Sequence, residues 1–197
     1  KKIEEEQEKL KKILIQKSKK YAEFEKNKIL IAGTGDFLEE QVAKVFSELG
    51  IEVEKGEEGK VDLIIKYFDR VAVVEIKGKT SSAAQANARQ LEQWITQYEP
   101  EKDSSPKGIL IVSTFINKPL DERESDDFPH QMLEWSIARE HCLISGLQLL
   151  GLYLYCKENP DKKDEMIQKL FDTVGVFEDF QDWREFFREV LILLFMS

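Results

Sequence analysis

The stretch from Val71 to Lys77 constrains the fold more than any other part of the sequence. Apolar residues occupy both faces of this predicted strand, with Val71 and Val73 on one face and Val74 and Ile76 on the other. A strand of this kind is covered on both sides and lies in the centre of a sheet. The sequence therefore predicts a sheet with helices packed against its two faces.

The connections between the predicted elements indicate a mixed sheet. Strands predicted at 51–54, 61–65 and 71–77 are joined by short turns, so we expect them to pair as antiparallel hairpins. Strands predicted at 108–114 and 141–144 are reached through helices, so they should run parallel to their neighbours. The expected fold is α/β, a three-layer α/β/α sandwich with a mixed central sheet.

Glycine and serine residues mark where the predicted helices begin. Gly33-Thr34-Gly35 is predicted to form a turn, after which Asp36 begins a helix with Glu39 as its capping-box partner. A second helix is predicted to start at the Ser81-Ser82 pair and to run through Tyr98. These helices would flank the three hairpin strands on either side in the sequence.

The first 28 residues are rich in Lys, Glu and Gln, with apolar residues spaced as a helical stripe. The stripe comprises Ile3, Leu10, Ile13, Leu14, Tyr21 and Phe24. It is typical either of a short coiled coil or of a solvated helix packed on its own domain. The predicted organisation is an exposed N-terminal helix at 1–32, a central domain at 33–156 and a helical extension at 157–197.

Composition narrows the classes of function. The formal net charge of −9 argues against strong nonspecific binding to nucleic acid, although a local basic groove is compatible with it. Cys142 and Cys156 lie in apolar surroundings and are predicted to be reduced core residues, which favours a cytoplasmic protein. No apolar stretch has the length of a membrane span, so no membrane partner is expected.

Three charged residues carry the chemistry that the sequence predicts. Glu75 and Lys77 are two residues apart on the buried strand, so both project from the same face, where burying charge costs several kcal/mol. A hairpin folds Asp62, at the start of the preceding strand, back toward Glu75. Two carboxylates beside a lysine are suited to holding Mg²⁺ against a phosphate. The alternative interpretation is a structural ion pair at a strand end.

The same residues resemble a known motif. Val61-Asp62-Leu63-Ile64 followed by Val73-Val74-Glu75-Ile76-Lys77 resembles the PD-(D/E)xK motif of restriction-endonuclease-like nucleases, with Val61 where the motif has Pro. The segment from Gly35 to Val42 is similar to the first helix of Mrr-like and RecB-like members, whose Glu adds to the metal site.

Two further segments extend the resemblance. Arg89-Gln90-Leu91-Glu92-Gln93-Trp94 resembles the QxxxY helix of RecB-like members, with Trp94 in place of Tyr. The strand at 108–112 and the strand and helix at 141–150 are similar to the closing βαβ unit of the Mrr-like branch.

This resemblance implies a DNA endonuclease that uses Mg²⁺ or Mn²⁺. The implied metal ligands are Asp62, Glu75, the Ile76 carbonyl and the accessory Glu39. Lys77 would orient water or stabilise the transition state, and Gln90 would assist near the metal or phosphate. Glu39 alternatively serves only as a helix cap.

The biological setting that the resemblance implies is restriction or phage defence. The expected partners are DNA and either a second copy of the chain or a larger upstream domain or subunit. RNA and branched DNA remain alternative substrates. A catalytically inactive module for dimerisation or nucleic-acid docking is the alternative from another class.

Overall fold

The computed structural model describes residues 2–56, 59–98, 105–123 and 126–184. Its helices are α1 (Lys2–Asn27), α2 (Ile29–Ala32), α3 (Gly35–Glu48), α4 (Gln85–Gln97), α5 (His130–Ile137), α6 (Gly146–Glu158) and α7 (Lys163–Asp172). Its strands are β1 (Glu52–Lys55), β2 (Leu63–Tyr67), β3 (Arg70–Gly78), β4 (Lys107–Ser113), β5 (Cys142–Ser145) and β6 (Gly175–Val176).

The six strands form one mixed sheet in the order β1-β2-β3-β4-β5-β6. β1, β2 and β3 pair antiparallel, whereas β3 to β6 run parallel, which confirms the predicted arrangement. The sequence does not predict β6, because a two-residue strand shows no periodicity. It joins β5 through the bonds from Gly175 N to His141 O and from Phe177 N to Leu143 O.

Two apolar layers cover the sheet, as the alternation in β3 predicts. Val74 and Ile76 pack on one face with α2, α3, α6 and α7, whereas Val73 packs on the other with α4 and α5. Fully burying a Leu, Ile or Val side chain contributes about 1.5–3 kcal/mol, so these layers hold the sheet between the helices. Beyond residue 156, Ile167 and Phe171 of α7 belong to the first of these layers.

Two helix starts differ from the sequence prediction. α3 begins one residue earlier, with Thr34 as N-cap and no side-chain capping bond, so the capping-box role predicted for Glu39 is wrong. α4 begins at Gln85 rather than at the serines. The Ser82 hydroxyl instead donates to the Asp126 carbonyl, so it is bonded to the loop before α5 and does not cap α4.

The N-terminal helix extends from this body with most of its described side chains exposed. The side chains of Tyr21 and Phe24, which the sequence assigns to the apolar stripe, lie outside the description. The part of the predicted C-terminal helical extension from residue 185 onward also lies outside the description. None of the helices in the described ranges combines the length and apolar composition needed to cross a bilayer.

Candidate active site

The candidate site forms where β3 runs past the start of β2. The antiparallel ladder between the two strands ends at the pair Leu63 and Val74. One residue farther along, Asp62 takes the place of a ladder partner, because its Oδ2 accepts a 2.6 Å hydrogen bond from the Ile76 backbone N–H. The carbonyl of a strand residue points to the same side as its N–H. The Ile76 carbonyl therefore points to the side of β3 on which Asp62 lies.

Lys77 joins the two carboxylates of the site. Its Nζ lies 2.5 Å from Glu75 Oε1 and 3.3 Å from Asp62 Oδ2. Glu75 has no exposed side-chain surface, whereas the side chains of Asp62 and Lys77 are 13% and 26% exposed. The three side chains predicted from the sequence thus converge, with Asp62 and Lys77 on the solvent side.

The second oxygen of Glu75 is held by a residue whose role the sequence leaves open. The indole Nε1 of Trp94, on α4, donates a 3.0 Å hydrogen bond to Glu75 Oε2. The Trp94 ring also packs against the apolar layer under α4. The ring of Trp94 thus lies in the core, while its polar edge contacts the site. The one sequence feature that indicated this contact is the QxxxY-like spacing from Gln90 to Trp94.

Burial and the close contact of opposite charges both shift the pKa values of the pair. Burial raises the pKa of Glu75 to about 7, with the close contact of Lys77 lowering it and the charge of Asp62 raising it. Burial lowers the pKa of Lys77, but its contact with Glu75 and the charges of the two acids outweigh this effect, so the pKa stands above its usual value. Lys77 is therefore a cation that supplies fixed positive charge beside two acids.

Among solved structures with a similar fold are two of the restriction endonuclease FokI. A structure of the restriction endonuclease FokI matches with a TM-score of 0.51 at 14% identity, covering 72% of this chain and 28% of FokI. A structure of FokI bound to DNA matches with a TM-score of 0.56 at 14% identity, covering 84% of this chain and 34% of FokI. The chain has a restriction-endonuclease-like fold. This chain thus spans about a third of the length of FokI.

At this identity the similarity concerns the fold alone. It supports the restriction-endonuclease-like fold expected from the sequence and does not support the Mrr-like or RecB-like branch. No protein-family profile matches the sequence, and no curated protein matches it.

Within the restriction-endonuclease-like fold, a close backbone contact positions α3 over the site. A Cβ built on Gly78, directly after Lys77, would lie 2.4 Å from the Gly33 carbonyl oxygen and 2.6 Å from Thr34 Cγ2. Only glycine lets the start of α3 approach the end of β3 this closely. Glu39, in the second turn of α3, is consequently near the three charged residues.

The pKa of Glu39 reflects its proximity to Asp62 and Lys77. Burial raises its pKa, and the charge of Asp62 raises it further while Lys77 opposes the shift. Gln90 is half-buried on α4, one turn before Trp94. In the described residues no hydrogen bond links Gln90 to the acids or to Lys77.

The donor set fits a hard divalent cation. Glu75 Oε1 is buried and, despite its contact with Lys77, has no aligned hydrogen-bond donor among the described residues. Two carboxylates and the Ile76 carbonyl are oxygen donors of the kind that Mg²⁺ and Mn²⁺ prefer. Within the described part of the chain, no group of three His, Cys, Asp or Glu side chains is arranged to hold a metal ion.

Proposed function

We propose that this chain is a divalent-metal-dependent endonuclease that hydrolyses DNA phosphodiester bonds. One observation carries the proposal: Asp62 bonds the Ile76 N–H while Lys77 bridges Asp62 and Glu75 at the open end of β3. Burying two acids and a lysine in a sheet costs desolvation free energy, and ionisable groups in such surroundings cluster at functional sites. The nuclease domain in this proposal is 33–156, as the sequence predicts.

Each residue has a role in the proposed reaction. Asp62, Glu75 and the Ile76 carbonyl would hold Mg²⁺ or Mn²⁺, with Glu39 as an accessory ligand. When bound, the cation would supply positive charge for the scissile phosphate and Lewis acidity for the attacking water. Lys77 stabilises the negative charge that builds on the phosphate. Electrostatic stabilisation of this kind is usually the largest single contribution to lowering the activation barrier.

Gln90 and Trp94 have supporting roles in the proposal. Trp94 fixes the orientation of Glu75 through its indole N–H. Gln90 assists near the metal or phosphate from the preceding turn of α4. DNA as the substrate draws on the similarity to FokI, of which one structure contains DNA. A setting in restriction or phage defence, and a cytoplasmic location, stay predictions from the sequence.

Cleavage of supercoiled plasmid in Mg²⁺ or Mn²⁺ tests the proposal. Asp62→Asn and Lys77→Met should each lower the rate about a hundredfold or more, as loss of a charge-stabilising group does. Glu40→Gln is the matched control, because Glu40 neighbours Glu39 but is exposed and paired with Lys55. Equal nicking by wild type and all three variants would refute the assignment. Parallel RNA and branched-DNA substrates test the alternatives.

A non-enzymatic module is the second candidate, and exposed apolar residues on α1 favour it. Leu10 and Leu14 are 61% and 67% exposed, as expected of a surface that binds a partner. Thermal unfolding with Mn²⁺ discriminates between the candidates. A stabilisation by Mn²⁺ that disappears in Glu75→Ala supports the enzyme, whereas no response in the wild-type protein supports the module.

A further inference from the structure

Three exposed apolar side chains share one face of α1, whereas the exposed Ile13 and Ile15 lie outside it. Ile3, Leu10 and Leu14 are 73%, 61% and 67% exposed. At 100° per residue they fall within an arc of about 40°, over a length of about 17 Å. A narrow stripe of this kind is the seam of a helix that packs against another helix.

The far end of this helix contacts the body of the protein. Asn27 is buried, and its Oδ1 accepts a 2.8 Å hydrogen bond from the Gln41 amide on α3. The seam lies more than a dozen residues before that contact, so the described part of the chain leaves it uncovered.

The net charge of α1 changes sign along its length. Residues 2–10, the acidic block, carry four glutamates and two lysines, whereas residues 11–20, the basic block, carry five lysines and no acid. In a parallel pair of α1 helices each charged block would face its own copy, which is repulsive. In an antiparallel pair the acidic block of one copy faces the basic block of the other.

One antiparallel register satisfies the seam and the charges together. With a two-fold axis at position 12, Leu10 faces Leu14 of the second copy. Glu6 then lies near Lys17 of the second copy, and both flank the seam on the same side, at about −60° and −40° from Ile3. Self-complementarity under a two-fold axis characterises an isologous interface. We propose that α1 pairs antiparallel with α1 of a second copy in this register.

The register also leaves room for the two bodies. The second copy's helix would begin opposite position 22, which leaves five residues, or about 8 Å, before Asn27. Each body would then stand at an opposite end of the paired helices, clear of the seam. This interface goes beyond the proposed nuclease and uses none of its residues, so a Glu75→Gln protein should dimerise like the wild type.

Sedimentation equilibrium of the full chain over a concentration series tests the seam. Leu14→Ala should shift the protein to monomer. Ile15→Ala is the matched control, because Ile15 is 50% exposed but lies about 100° around the helix from Leu14. A wild-type protein that stays monomeric throughout, or equal effects of the two variants, would overturn the proposal.

Charge reversal tests the orientation. Glu6→Lys and Lys17→Glu should each weaken the dimer about tenfold, because each turns two surface ion pairs from attraction to repulsion. The double variant Glu6→Lys/Lys17→Glu restores both pairs in the antiparallel register and should dimerise nearly as well as the wild type. Failure of the double variant to recover would overturn the antiparallel register.

Disulfide trapping gives an independent measure of register. A Leu10→Cys chain mixed with a Leu14→Cys chain should crosslink faster than either chain alone. The native Cys142 and Cys156 are buried and do not interfere. Faster crosslinking within the Leu10→Cys chain alone would indicate a parallel pair and refute the proposal.

Discussion

The hydrogen bond from Trp94 to Glu75 should contribute measurably to stability, and Trp94→Phe isolates it. The variant keeps an aromatic ring in the layer under α4 but removes the indole N–H that donates to Glu75 Oε2 at 3.0 Å. Hydrogen bonds to charged groups contribute about 1.5–3 kcal/mol, and the smaller ring costs about 1 kcal/mol more. We therefore expect a total loss of about 3 kcal/mol in the free energy of unfolding.

A second tryptophan provides the matched control. Trp135 packs on the same apolar layer, but its buried Nε1 has no hydrogen-bond partner among the described residues. Trp135→Phe makes the same ring change and removes an unsatisfied donor, so it should cost about 1 kcal/mol or less. The expected difference of about 2 kcal/mol corresponds to about 4–8 °C in Tm for a chain of this size.

Urea unfolding followed by far-ultraviolet circular dichroism measures both variants. The protein is kept in EDTA at about pH 8.5, where Glu75, whose pKa burial raises to about 7, is ionised. In a Glu75→Gln background the cost of Trp94→Phe should fall by about 1 kcal/mol, because the acceptor is then neutral. Equal losses for Trp94→Phe and Trp135→Phe would refute the reasoning.

Further predictions concern the support of the site and the pH dependence of stability. Gly78→Ala should destabilise the protein by about 1–3 kcal/mol in urea unfolding, because its Cβ would lie 2.4 Å from the Gly33 carbonyl. Ser145→Ala should cost about 1 kcal/mol, because the Ser145 hydroxyl caps α6. Burial lowers the pKa of His141 below 6.5, against the opposing effect of its contact with Glu92. The unfolded chain then binds the proton more tightly, so the contribution of His141 to stability should fall as pH drops below about 6.5. His141→Gln should therefore gain stability relative to the wild type as unfolding is measured from about pH 8 down to about pH 5.

Controls separate these effects from nonspecific damage. Ser47→Ala is the control for Ser145→Ala, because the Ser47 hydroxyl donates to the Ala43 carbonyl on an exposed face of α3. Equal losses for the two serines would contradict the capping role. A wild-type pH profile in His141→Gln, or unchanged stability in Gly78→Ala, would contradict the corresponding prediction.

Local sequence patterns predicted most of the elements but missed some of their ends. Ser145 is the N-cap of α6, and its capping bond is local because it involves only Gln148, three residues away. The capping box predicted for Glu39 is wrong, because Thr34 is the N-cap of α3, which puts Glu39 five residues after the cap rather than three. The close approach of Gly33 and Thr34 to Gly78 is made across the fold, and no local pattern indicates it.

The sequence by itself determined the strand alternation, the mixed sheet and the spacing that puts Glu75 and Lys77 on one face, because these follow from a two-residue period and from short or helical connections. Only the tertiary structure decided which groups satisfy the buried charges. The Asp62 bond to the Ile76 N–H, the Trp94 bond to Glu75 and the approach of α3 to Gly78 join segments 14 to 45 residues apart. Their geometry depends on how the layers pack, which no local pattern encodes.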